Sequence, residues 1–310
     1  MERAFTFDVR FFRLSEALQP YFTALYYFEF DGSDGQVVED YLHPEWAVMR
    51  FVGEGEPPRA TIGPGSLLPQ WPFVVSGPTS RSIRFGISRS RIWGLGLLPA
   101  GWARFVDGKA SAYADRTLDG SVDPAFALFN PLMDMITAPN QATDATAMRI
   151  NAYLMLQLQG CHRNEAAIIA LHAALRDPEI ANVPDLAERL GTGKRKLERL
   201  CARYFGFAPK QLLRRQRFLR SLSHFMLGSG NWSEAMDGQY YDQAQFVKDF
   251  KSFMFMTPSE YAETPHPILS RIMAQRMADA GVAPQTDLPT ILRYGAEPQF
   301  GPGPTRLTSG

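Results

Sequence analysis

The chemistry of this 310-residue sequence is concentrated in its cations. Arg189, Lys194, Arg195, Lys196, Arg199, Arg203, Lys210, Arg214, Arg215, Arg217 and Arg220 crowd into 32 positions, with Glu198 as the one acid between them. The whole chain balances 32 basic against 32 acidic side chains. A positive stripe inside a neutral protein is the footprint of a polyanion contact. Other chemistries find little support. His43, His162, His172, His224 and His266 form no HxH or HExxH pair, which leaves a metal-dependent oxygenase or hydrolase without ligands. His43 with Glu45 comes nearest, and beside Pro44 it reads as a loop pair. No GxSxG or phosphate loop occurs, and Gly63-Pro-Gly65 is a turn. Cys161 and Cys201 read as core positions on helical faces, not as the reactive thiol that a DNA-repair alkyl transferase needs. The expectation is a protein that is no enzyme and carries no cofactor or metal.

The cations must be held by helices. Asn182-Val-Pro-Asp185 is a helix start, with Asn as N-cap, Pro in the first turn and an acid at N3. Gly191-Thr-Gly193 breaks that helix, and Lys194 to Phe205 forms a second with Leu197, Leu200, Cys201 and Tyr204 inward. Short helix, glycine turn, short basic helix is the helix-turn-helix layout. The layout recurs. A helix from Pro209 to Leu227 leads to Asn231-Trp-Ser-Glu234, spaced as a capping box. Asp242 then opens a helix from Gln243 to Phe253, and Thr257-Pro258 starts a last turn. The connecting helix of about 19 residues spans roughly 28 Å, near the 34 Å or so of one turn of B-DNA.

Upstream the texture differs. Residues 1 to about 120 read as short strands, among them Tyr21 to Phe30, Trp46 to Val52, Phe73 to Val75 and the alternating Ser82 to Ile87. Gly/Pro clusters punctuate them, as in a small sandwich or barrel. Leu95 to Val106 reads as a loop feeding a helix. From Pro124 the composition turns helical. Thr143 caps a helix with Ala147, Ile150, Leu154 and Leu158 on one face, and a second carries Ile168, Leu171, His172 and Leu175. The fold class is α+β: a β-rich sensor domain at 1–123 (cupin-like barrel or sandwich), a helical connector at 124–180 that either dimerises or packs on its own domain, an all-α double helix-turn-helix domain at 181–264, and a tail at 265–310 with a short helix near Ile268 to Ala280. Two cysteines, no apolar run of about 20 residues and no signal-peptide layout fit the cytoplasm.

At these residues the sequence resembles the DNA-binding domain of the AraC/XylS transcription regulators. Leu186-Ala187, Gly191, Arg195, Leu197, Arg199, Gly206 and Pro209 are similar to the family's first unit. The stretch Arg214-Arg-Gln-Arg217 is similar to its connecting helix, and Tyr240-Tyr-Asp-Gln243, Phe246, Phe250 and Thr257-Pro258 to its second unit. More loosely, Leu42-His-Pro-Glu-Trp46, Gly77-Pro-Thr-Ser80 and Gly96-Leu-Leu-Pro-Ala-Gly-Trp102 resemble the sensor halves of some members. The chain departs from the family at Gln239 and Phe255, where glycine is usual, at Gln245 for His, and at Cys201 for an aromatic. Loss of glycine would strain the second unit's turns wherever they need positive φ.

The resemblance implies that Arg195, Glu198 and Arg199, with Gln243, Ala244, Gln245 and Lys248 in the second unit, face base edges. Arg suits guanine, Gln suits adenine and Glu suits cytosine. Lys194, Lys196, Arg203 and Lys251 would hold phosphates. Arg214, Arg215 and Arg217 are expected to brace the two units or to pair with acids, not to touch DNA. For an effector, Tyr26, Phe28, Trp46, Phe51, Trp71, Phe73 and Trp93 are the candidates to line an apolar cavity, with plain core as the alternative for each. The expected partners are double-stranded DNA and RNA polymerase, with a small effector or a second copy of the chain acting through the first domain. The alternative is a ligand- or protein-binding scaffold whose helix-turn-helix domain no longer touches DNA.

Overall fold

The computed structural model describes residues 5–32, 35–227 and 231–278. Ten strands come first: β1 (Phe5–Phe12), β2 (Phe22–Gly32), β3 (Val38–Leu42), β4 (Ala47–Gly55), β5 (Arg59–Ile62), β6 (Leu68–Pro69), β7 (Phe73–Ser76), β8 (Ile83–Ile87), β9 (Ser90–Leu97) and, after α1 (Pro99–Phe105) and α2 (Ala110–Tyr113), β10 (Thr117–Asp119). They form a six-stranded sheet, β1-β2-β9-β4-β7-β10, and a four-stranded sheet, β3-β8-β5-β6. Every pairing is antiparallel.

Strand parity sorts the large sheet's side chains, because successive residues point to opposite faces. Phe28, Phe30, Val52 and Ile92 turn toward the small sheet and meet Ile87. Leu25, Tyr27, Met49, Phe51, Phe73, Trp93 and Leu95 turn the other way, into a core shared with the helices. Leu95 to Leu97, expected in a loop, instead completes central strand β9, and only Pro99 starts the helix. Gly94 is needed in that strand: a Cβ there would lie 1.9 Å from Cζ of Tyr26, whose ring covers it.

The helices that follow are α3 (Pro131–Thr137), α4 (Thr143–Gln157) and α5 (Glu165–Arg176), then α6 (Val183–Arg189), α7 (Lys194–Leu200), α8 (Pro209–Leu227), α9 (Trp232–Ala235), α10 (Gln243–Met254), α11 (Pro258–Glu263) and α12 (Leu269–Ala278). The inward faces of α4 and α5 are Ala147, Ile150 and Leu154, and Ile168, Leu171 and Leu175. Ala142, not Thr143, is the N-cap of α4. Cys161 is a correction to the expected core position: it is exposed in the loop before α5. The main core runs unbroken from the large sheet through α1, α4 and α5 to Leu212 and Leu213 on α8, so the first helix-turn-helix unit is built into it. A separate core, around Phe218, Phe246, Phe250 and Tyr261, holds the second unit and α12.

Candidate nucleic-acid interface

In the first unit, Asn182 Oδ1 accepts from Asp185 N at 3.0 Å and opens α6. Gly191, at φ +55°, closes it, and Gly193 is the N-cap of α7. Leu197, Leu200, Cys201 and Tyr204 face inward, as their spacing requires. Burial pushes the Cys201 thiol up to about 12, with Glu198 adding to it, so the group is an inert apolar filler. Lys194, Arg195, Lys196, Glu198, Arg199 and Arg203 all lie exposed. At 100° per residue, Arg195, Glu198 and Arg199 share the centre of the outer face, and Lys196 and Arg203 flank it on one side.

The second unit is capped as the sequence implies. Asp242 Oδ1 accepts from Gln245 N at 2.7 Å, and Thr257 with Glu260 makes a full capping box. Gln243, Ala244, Lys248 and Lys251 are exposed on α10. Gln245 differs: it is half-buried and its Oε1 accepts from Tyr241 N at 3.0 Å, so the side chain helps tie down the turn. Of the two replaced glycines, Gln239 does not take a positive φ, whereas Phe255 does, at +60°. Left-handed backbone costs a non-glycine residue about 1–2 kcal/mol.

Arginines of α8 hold the two units together. Arg214 and Arg217 both pair with buried Asp249 of α10, at 2.6 and 3.0 Å. Arg217 also lies over the Tyr240 ring at 4.3 Å. Arg220 pairs with Asp237 at 2.5 Å and donates to Gln239 Oε1. These cations are spent on internal carboxylates. Arg215 does something sequence reasoning missed. It is 1% exposed and reaches out of α8 into the sandwich. There its guanidinium lies 3.8 Å over the ring of Trp46 and donates to the carbonyls of Thr79 at 3.0 Å and Glu45 at 3.4 Å.

Further contacts dock the second unit on the sandwich. Ser82 N donates to Phe253 O at 2.7 Å, and His43 Nε2 meets the Tyr261 hydroxyl at 2.8 Å. Burial lowers the His43 imidazole to about 3, aided by His266. The Phe255 ring lies so close to Gly63 that a Cβ there would come within 2.8 Å of it. Gln239 reaches the carbonyl of Pro178. Both departures from glycine are thus used as contacts with the rest of the chain. Asp40 on β3 caps α12: its Oδ2 accepts from Ile268 N and Leu269 N, each at 2.8 Å, and its Oδ1 meets His266 Nδ1 at 3.0 Å.

Between the sheets lies an apolar cavity of about 80 Å³, closed on one side by Ile268 and Ile272 of the C-terminal segment. Tyr26 and Phe28 line it. The other five expected lining residues do not, for reasons of parity and place. Phe51 and Phe73 stack on each other at 4.4 Å in the helix-side core, and Trp93 stacks on Phe12 there. Trp46 lies beneath Arg215, and Trp71 is 37% exposed. The charged residue lining the cavity, which the sequence did not flag, is Arg50. It pairs with Glu45 at 2.7 Å and donates to Ser76 Oγ at 3.2 Å. Burial opposes its charge, but Tyr26 and Glu45 outweigh burial and raise its pKa. Among the described residues no cluster of His, Cys, Asp and Glu could hold a metal, and no helix is long and apolar enough to cross a membrane.

Two helix-turn-helix units lie on one rod of helix with the side chains of their outer faces exposed, which is the layout of a double helix-turn-helix domain. Residues 186–264, about a quarter of the chain, match the helix-turn-helix domain family. No curated protein matches it. Among solved structures it is similar to ToxT from Vibrio cholerae O395, at 10% identity over 84% of this chain and 97% of that one, TM-score 0.41. ToxT bound to (E)-4-(8-methylnaphthalen-1-yl)but-3-enoic acid is similar at 10% identity over 84% and 99%, TM-score 0.44. The AraC-like transcriptional activator CuxR is similar at 14% identity over 74% and 91%, TM-score 0.28.

Proposed function

We propose that the chain is a sequence-specific DNA-binding transcription regulator whose two recognition helices, α7 and α10, enter successive major grooves. The observation that carries this reading is the exposure of Arg195, Glu198, Arg199, Gln243, Ala244 and Lys248 while Leu197 and Leu200 of α7 and Phe246, Phe250 and Phe253 of α10 are turned into the cores. The 19 residues of α8 separate the units by roughly 28 Å, suited to neighbouring grooves of one duplex face. Arg195, Glu198, Arg199, Gln243 and Lys248 read base edges, Ala244 contacts a thymine methyl, and Gln245 positions its neighbours. Lys194, Lys196, Arg203 and Lys251 hold phosphates.

Control comes from docking. The sandwich grips α8 through Arg215 and the second unit through Ser82 and His43, so anything that alters the sandwich alters how the readers are presented. The cavity around Arg50 is the place for a small, mostly apolar effector, and α4 the place for a second copy of the chain. Changed presentation then changes contacts with RNA polymerase at a promoter in the cytoplasm. The scaffold alternative loses its motive, since Gln239 and Phe255 serve docking and leave the recognition faces clear.

The test is selection of bound genomic fragments with the full-length protein, then footprinting. The expected result is a protected site with two contact regions about 10 base pairs apart and affinity that falls steeply with salt. Equal recovery of all fragments would refute sequence-specific reading.

A further inference from the structure

Beside the first recognition helix lies an open cleft of about 710 Å³ whose walls come from both halves of the molecule. α7 and the turn after it supply Lys196, Arg199 and Arg203. The loop before α2 supplies Lys109, and the loop before α5 supplies Arg163. All five are exposed, no acidic residue lines the cleft, and none of the five is ion-paired among the described residues.

We propose that this cleft is a track for a DNA phosphate backbone, so that Lys109 and Arg163 of the first half grip the duplex that α7 reads. The proposal rests on the DNA-binding reading and adds a second, sequence-independent surface to it. A helix seated in a major groove has the phosphates of the groove rim alongside it, where flanking cations meet them. Lys196 and Arg203, seven residues apart, form the flank of α7 turned to this cleft, and Lys109 and Arg163 continue it across the domain boundary. The two sides are held in fixed register. Asn164 Nδ2 donates to the Tyr204 hydroxyl at 3.1 Å, the Tyr204 and His162 rings meet edge-on at 5.4 Å, and Phe205 packs against Trp46 at 5.7 Å. A small anion would call for buried polar anchors in an enclosed site. Here the charges are solvent-facing and strung along an open groove, which fits a strand of phosphates.

The experiment uses the full chain and a labelled 30-base-pair duplex of random sequence, titrated between 50 and 200 mM salt, since phosphate contacts need no specific site. Each lost phosphate contact should lower the salt slope by about 0.9 and weaken binding ~5-fold at 0.15 M. Lys109→Ala/Arg163→Ala should therefore bind about 30-fold more weakly. Lys109→Arg/Arg163→Lys should keep the wild-type slope. Arg10→Ala, on β1 at the opposite edge of the sheet from β10, should change neither. Wild-type slope and affinity in the double alanine variant would overturn the track while leaving DNA reading by the helices intact. So would a variant that keeps DNA binding but loses protection by inorganic phosphate or a nucleotide, which would mark a small-anion site. Absence of duplex binding by the wild type would overturn both readings together.

Discussion

Replacing Arg215 tests the coupling between the two halves. The guanidinium is buried, lies 3.8 Å over Trp46, and donates to Thr79 O at 3.0 Å and, at a longer 3.4 Å, to Glu45 O. A desolvated cation–π contact contributes about 2 kcal/mol and a charged hydrogen bond about 1.5–3 kcal/mol. Glu45 O keeps a second donor in Thr79 N, so its loss is cheap. Thr79 O is the acceptor that suffers. Methionine restores about 1 kcal/mol of apolar burial. Arg215→Met should thus cost about 3 kcal/mol, two orders of magnitude in the balance between docked and undocked forms. In urea, with a slope of about 3 kcal/mol/M, the midpoint should fall by about 1 M. Emission from Trp46, now 2% exposed, should shift red ahead of the main transition. Arg215→Lys keeps the charge without the planar stack and should fall between. A midpoint unchanged in Arg215→Met would refute the argument that this side chain fastens the reader to the sandwich.

Other tests follow from single sites. Arg199→Ala should weaken binding to a selected operator by about 1–3 kcal/mol and relax preference at one base pair; anisotropy on cognate and scrambled duplexes decides, and equal loss on both would move Arg199 to the phosphate class. Gly94→Ala drives a Cβ to 1.9 Å from the Tyr26 ring and should destabilise the sandwich by about 1–3 kcal/mol in chemical denaturation. For pH, His43 is lowered to about 3 in the fold, against about 6.5 unfolded. The unfolded chain therefore takes the proton first, and stability present above pH 6.5 is lost as pH falls toward 3. About 2 kcal/mol should go between pH 7 and 5, and His43→Gln should flatten that part of the stability profile.

The helical half was legible because its signals are local. Asn182, Asp242 and Thr257 cap where their types say they should, and the buried faces of α4, α5 and α7 follow from period, except that Leu158 and His172 are only half-buried. The sandwich was legible as strands but not as faces. Tyr26 and Phe51 look alike in composition, yet parity sends one into the cavity and the other into the helix-side core. β9 was partly lost because Leu95 to Leu97 read as loop with the stretch that follows, and its own Gly94 is there to admit the Tyr26 ring. β1 went unnoticed although Phe5, Phe7, Val9 and Phe11 alternate with polar residues. The docking contacts had almost no sequence signal. Arg215 sits among arginines that face Asp249, and only three-dimensional packing separates it from them. The departures at Gln239 and Phe255 were the one clue, visible as exceptions before their partners were known.

The short helix after the readers alters what opening can mean. Since Asp40 clasps α12 and Ile268 is wedged between the sheets, the reading half is pinned at its far end as well as joined at its near one. A body fastened at two points swings about whichever anchor remains when the other lets go. Release of one set of contacts therefore yields a rotation about the other, and on the proposed reading α7 and α10 would change their angle to a duplex without ever becoming a loose pendant on a leash.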